Sequence, residues 1–146
     1  MVSQRLIFQN FVTCDMQRAI FILFINLLIT ACMSTSTTHQ YADGSANVYI
    51  IKSDSLEYIP IKPEESSTGF YSGGDPKKVS VTLDEYRSLR GMLEGAKKKH
   101  EIHIPDRIKT SGMITTFSGN EKTHFILKPG CKEITEIEAA LKKLLD

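Results

Sequence analysis

Between Met16 and Cys32 the chain reads MQRAIFILFINLLITAC, and this stretch limits what everything after it can be. Arg18 places a positive charge ahead of an apolar run from Ala19 to Ile29 that is broken only by Asn26. Thr30 and Ala31 are small, and Cys32 closes the stretch. A positive start, a short apolar run and small residues before a cut are how an export signal is built. A bilayer-spanning helix needs about 20 apolar residues. The run from Ala19 to Met33 falls short of that, and Asp15, Gln17 and Arg18 block its extension upstream. A buried core helix fits no better, because almost nothing polar marks an outer face.

The closing tetrapeptide Ile29-Thr30-Ala31-Cys32 resembles a bacterial lipobox, and the resemblance covers only the first 32 residues. The bacterial lipoprotein class it points to implies cleavage between Ala31 and Cys32. Cys32 then becomes the diacylglyceryl-modified and N-acylated first residue of the mature chain. One acyl chain holds a protein to a membrane marginally, whereas two or more hold it stably. Met33, not aspartate, follows the cysteine, so in a cell with two membranes the resemblance favours the outer one. The expected location is the cell envelope. A signal beginning at Met16 is well formed by itself, so Met1 to Asp15 is either a long leader or upstream of the true start.

The leader, residues 1–31, holds Arg5, Arg18 and Asp15 out of the chain's 18 basic and 17 acidic residues, which leaves the mature part formally neutral. Neutrality argues against a nucleic-acid partner, since phosphate contacts need a basic surplus. Lys97-Lys98-Lys99 is the local exception, and it reads as a solvated helix end favoured by the helix dipole. Of three cysteines, Cys14 leaves with the leader and Cys32 is lipidated. Cys131 is then without a partner in its own chain and reads as a small buried residue before a helix.

Residues 32–47 read as the lipidated cysteine and a flexible tether: the run Ser34-Thr35-Ser36-Thr37-Thr38 and the turn Asp43-Gly44-Ser45 hold too little apolar surface to offset ordering entropy. Residues 48–146 then form a single globular domain. Val48–Ile51 and Leu56–Ile61 predict a hairpin, with Pro60 ending its regular pairing or placing its second strand at an edge. Thr82 and Glu85 form a capping box ahead of a helix whose stripe is Leu83, Tyr86, Leu89, Leu93 and Ala96. Gly91 and Gly95, four apart on that helix, suggest close approach by another backbone. Glu101–Ile104 predicts a short strand. Met113–Phe117 and Thr123–Leu127 predict a second hairpin around Ser118-Gly119-Asn120-Glu121. A last helix runs from about Lys132 to Leu145. The expected fold is α+β: a small antiparallel sheet, order β-β-α-β-β-α, with two helices on one face.

The motifs of chemistry fail one by one. Gly69 and Gly74 have the separation of a P-loop's glycines, but Asp75-Pro76 stands where lysine and a hydroxyl must be. Gly69-Phe70-Tyr71-Ser72-Gly73 puts its serine one place late for a nucleophile elbow. Lys109-Thr110-Ser111-Gly112 has the look of a penicillin-binding lysine motif, yet no serine carries a lysine three residues on. His100 and His103 would point to opposite faces of a strand, and no metal-ligand motif is present. No catalytic set, metal site or cofactor is expected.

What remains is a loop. Ser67, Thr68, Gly69, Phe70, Tyr71 and Ser72 combine two aromatics with hydroxyls and glycine, a composition that recognition loops use. The expectation is a lipid-anchored envelope binding module that meets a protein or envelope component through this loop or a sheet edge. An inhibitor- or immunity-type lipoprotein is the narrower version, and a small envelope hydrolase is the rival with least support.

Overall fold

A computed structural model describes residues 37–66, 69–70 and 72–146. The chain divides into a unit ending at Thr35 and a unit from Ser36 to Asp146, and the fold that follows is that of the second. The leader, Ala31 and Cys32 lie outside the described residues, as do Ser67, Thr68 and Tyr71.

Six strands make one antiparallel sheet: β1 (Thr37–Ala42), β2 (Val48–Ile51), β3 (Ser55–Ile59), β4 (Lys77–Ser80), β5 (Gly112–Ser118) and β6 (Glu121–Leu127). Two helices, α1 (Leu83–Lys98) and α2 (Lys132–Leu145), complete it. The spatial order is β4-β3-β2-β1-β5-β6. The class is α+β as expected, but the order along the chain is β-β-β-β-α-β-β-α, which corrects the reading.

Two strands account for the difference. Thr37–Ala42, read as part of a flexible tether, is a central strand with partners on both sides, β2 and β5. Period-2 alternation sends Thr37, His39 and Tyr41 to the helix side of the sheet, and His39 and Tyr41 are fully buried there. Its serine- and threonine-rich approach disguised it. A strand paired on both edges satisfies its backbone without needing a strongly apolar sequence. Lys77–Ser80 was hidden for another reason: it is a short edge strand carrying two lysines, with only Val79 turned to the core. Glu101–Ile104, expected as a strand, is a 3-10 turn over His100–Ile102 followed by a single bridge from His103 to Leu127.

The hairpins and helices form where the sequence places them. Thr82 Oγ1 accepts from the Glu85 N–H, and Glu85 Oε2 accepts from the Thr82 N–H at 2.8 Å. Tyr86, Leu89, Leu93 and Ala96 of α1 and Ile134, Ile137 and Leu141 of α2 share one core with Tyr41, Ile51, Leu56, Ile114 and Leu127 of the sheet. Every one of those strand residues belongs to the same face, so both helices cover that face. Burying each such aliphatic side chain stabilises by roughly 1.5–3 kcal/mol. Among the described residues a methyl group placed on Gly91 or Gly95 would meet nothing within 4 Å, so no other described backbone approaches them. Lys98 and Lys99 are exposed at the helix end as read, while Lys97 is partly buried; Lys97 pairs with Glu94 at 2.9 Å and Lys99 with Glu133 at 2.5 Å.

The strand registers define two ends. Thr37 enters beside Ser118, near the β2–β3 turn at Lys52–Asp54, to which Val81 donates a hydrogen bond. This is the near end. At the far end lie the β1–β2 turn Asp43–Asn47, the close of β3 at Ile59, and Lys77 at the start of β4.

Candidate functional site

The far end gathers the polar and aromatic groups. Pairing brings Tyr41, Tyr49 and Tyr58 side by side on three adjacent strands. Their rings are 6.1 Å and 5.0 Å apart between centroids, both tilted. Gly112, two residues before Ile114, makes room for this row, since a methyl there would meet the Tyr41 hydroxyl at 2.6 Å. α2 crosses above, and its Glu138 Oε1 accepts from the Tyr41 hydroxyl at 2.9 Å.

The loop after β3 closes the site. Asp43 organises the adjoining turn by accepting from the backbone of Ser45 and Asn47 and from the Asn47 side chain. Asn47 Oδ1 in turn accepts from the Ile61 N–H at 3.1 Å. Gly73 is wedged in: its N–H donates to Ile61 O, its carbonyl accepts from the Tyr58 hydroxyl at 2.6 Å, and an added methyl would lie 2.1 Å from Asn47 Oδ1 and 2.7 Å from Pro60 Cβ. Only glycine fits there. Among the described residues the result is a cleft of about 440 Å³ lined by Tyr49, Tyr58, Asp75, Lys77, Glu138 and Lys142, with Gly73 and Gly74 on its rim.

Its electrostatics are mixed. Burial pushes the Glu138 carboxyl above the usual carboxylate range, the Tyr41 hydrogen bond pulls it partly back, and the Asp43 charge raises it further. Burial, followed by the Glu138 charge, drives the Tyr41 phenol well above its ordinary value, so it stays protonated and donates. The cleft therefore offers aromatic faces, carboxylate acceptors and two lysines. Asp43, which also lines the cleft, is committed to its turn by the Ser45 and Asn47 hydrogen bonds.

The loop named from sequence leads into this cleft. Phe70 is 92% exposed. Gly69, at φ +72°, donates to Ser66 O, and Ser72 Oγ accepts from the Gly74 N–H. The cleft residues Tyr49, Tyr58 and Glu138 escaped the sequence reading. A usable signal existed: closing Val48–Ile51 on Leu56–Ile61 about Ser53-Asp54 sets Tyr49 opposite Tyr58. Glu138 had none, because its neighbour Tyr41 stood in the supposed tether.

Elsewhere the ionisable groups do not assemble. Thr116 Oγ1 lies 3.4 Å and Glu94 Oε1 3.9 Å from His39, a hydroxyl–imidazole–carboxylate set in name. Both face Nδ1, so the ring cannot take a proton at one nitrogen while the carboxylate holds the other. His39 is also fully buried, and its Nε2 has no partner among the described residues. His100 and His103, expected on opposite faces, meet edge to face at 5.7 Å because they sit on a 3-10 turn; His103 Nε2 lies 3.0 Å from Ala96 O. Among the described residues no group of three or more His, Cys, Asp or Glu is placed to hold a metal, and no helix is long and apolar enough to cross a membrane. His124 is exposed on the face away from the helices, and Cys131 is buried at the start of α2.

Compared with known protein families, curated proteins and solved structures, the chain matches none.

Proposed function

We propose that this protein is a lipid-anchored binding module of the cell envelope, attached through Cys32, that meets a protein or envelope component with its far end. The supporting observation is Phe70: it is 92% exposed at the tip of a loop whose return is pinned by the wedged Gly73. A large apolar side chain left this exposed gains when a partner removes it from water. Its burial is worth roughly 1.5–3 kcal/mol, the scale of an interface anchor. The cleft beside it supplies the polar contacts that orient a partner. The same exposed ring also suits an inhibitor- or immunity-type lipoprotein that inserts the loop into an enzyme's cleft. A hydrolase reading draws no support from the placement of Ser72, His100, His103, His124 and Cys131.

The test is capture from the native envelope by the lipid-free protein, wild type against Phe70→Ala/Tyr71→Ala. Loss of a specific partner with the double variant supports the proposal. Equal recovery of every partner removes the loop from it.

A further inference from the structure

The spacing between the lipidation motif and the first strand carries a second conclusion, which rests on the anchor reading above. From Cys32 to Thr37 there are five residue steps, which span at most about 18 Å even fully extended. The six residue steps from Gly112 to Ser118 alone measure about 20 Å along the sheet. Thr37 enters at one end of that sheet, beside Ser118 and the Lys52–Asp54 turn. The tyrosine cleft, the Asp43–Asn47 turn and the Phe70 loop are at the other. An inverted body would lift Thr37 farther from the bilayer than its tether reaches.

We infer that the near end (the Lys52–Asp54 turn, the Ser118–Glu121 turn and the first turn of α1) faces the lipid headgroups, and the cleft faces away from them. The near end carries both signs of charge, Lys52 and Lys122 with Asp54, Asp84 and Glu121, so its position follows from the short tether, not from a lipid-specific patch. The partner met by the far end then approaches from the aqueous compartment. A flexible tether running all the way to Asn47 would have allowed any orientation.

The chain contains no tryptophan, so one introduced tryptophan reports alone. Ser53 and Ser45 sit in exposed turns at opposite ends of β2. The full-length lipidated protein, carrying Ser53→Trp or Ser45→Trp, is placed on phosphatidylcholine vesicles containing a headgroup-linked quencher. Quenching severalfold stronger at position 53 than at 45 is expected, and a long Gly/Ser spacer inserted after Ser36 should abolish the difference. Equal quenching, or stronger quenching at 45, overturns the orientation. Intact mass of the same sample separates the two ideas: an unacylated Cys32 overturns the anchor itself, whereas acylated protein with equal quenching overturns only the inferred facing. Thermal unfolding of both variants checks that each keeps its fold.

Discussion

The Tyr41 hydroxyl donates to Glu138 Oε1 at 2.9 Å across 97 residues of sequence, tying the central strand to α2 at the wall of the cleft. It is the contact through which the strand that sequence reading missed reaches the site that sequence reading also missed. Tyr41→Phe keeps the ring but leaves a half-buried carboxyl without its donor, a loss of about 1–3 kcal/mol. Denaturant unfolding at neutral pH should show it as a lower midpoint with unchanged slope. Because that hydrogen bond lowers the Glu138 pKa, an NMR titration of the variant should find the carboxyl shifted further upward.

His39 makes a pH prediction whose sign follows from burial. Desolvation lowers its pKa below the ordinary 6.5; Glu94 opposes this, and Lys97 and Arg90 add to it. The unfolded chain thus binds a proton that the folded chain refuses, so stability rises with pH between the two values. It is fully present above about 6.5 and is lost as pH falls through that window toward the depressed folded value. Urea midpoints measured from about pH 7.5 to 5 should fall, and the fall should flatten in His39→Phe. A midpoint independent of pH in the wild type would contradict the burial of His39, whose Nε2 has no partner among the described residues.

Three glycines separate open space from close contact. Gly91 and Gly95 have room for a methyl group within α1 and no positive φ. Replacing either with alanine should raise stability by about 1 kcal/mol, visible as a higher thermal midpoint. Gly73→Ala would drive its methyl into Asn47 Oδ1 and Pro60, so the loop must leave its seat. Proteolysis between Ser66 and Lys77 should accelerate in that variant while α1 and α2 remain protected.

Truncation tests the position of the domain boundary. A chain beginning at Ser36 retains β1 and should unfold cooperatively. One beginning at Val48, the boundary that composition suggests, loses the strand that pairs β2 with β5. It also loses the buried His39 and Tyr41. It should aggregate or give no cooperative transition, as followed by circular dichroism.

Phe70→Ala alone should leave stability within about 0.5 kcal/mol of wild type, as expected of a residue 92% exposed. A larger loss, read from the thermal midpoint, would mean that the ring supports the fold, and the loop could not then serve as a recognition surface.

What the sequence determined by itself was whatever short-range physics decides. The Thr82–Glu85 capping box, the last helix and the Ser118–Glu121 hairpin are each settled within a few residues of chain and stand where reading placed them. So does the α1 stripe from Tyr86 to Ala96, although Leu83, read as its first member, is exposed because it lies in the first turn beyond the sheet's cover. Tertiary structure alone decided Thr37–Ala42, Lys77–Ser80 and the cleft. Thr37–Ala42 is a strand because β2 and β5 supply hydrogen bonds on both sides, and Lys77–Ser80 because β3 does so on one. Neither has the composition to announce it. The cleft joins Tyr49 and Tyr58 to Glu138, and only packing of α2 across a completed sheet brings that carboxyl to the tyrosines. Local preference is carried by neighbours in the chain, whereas a site built from distant segments exists only once the backbone partners between them have been found.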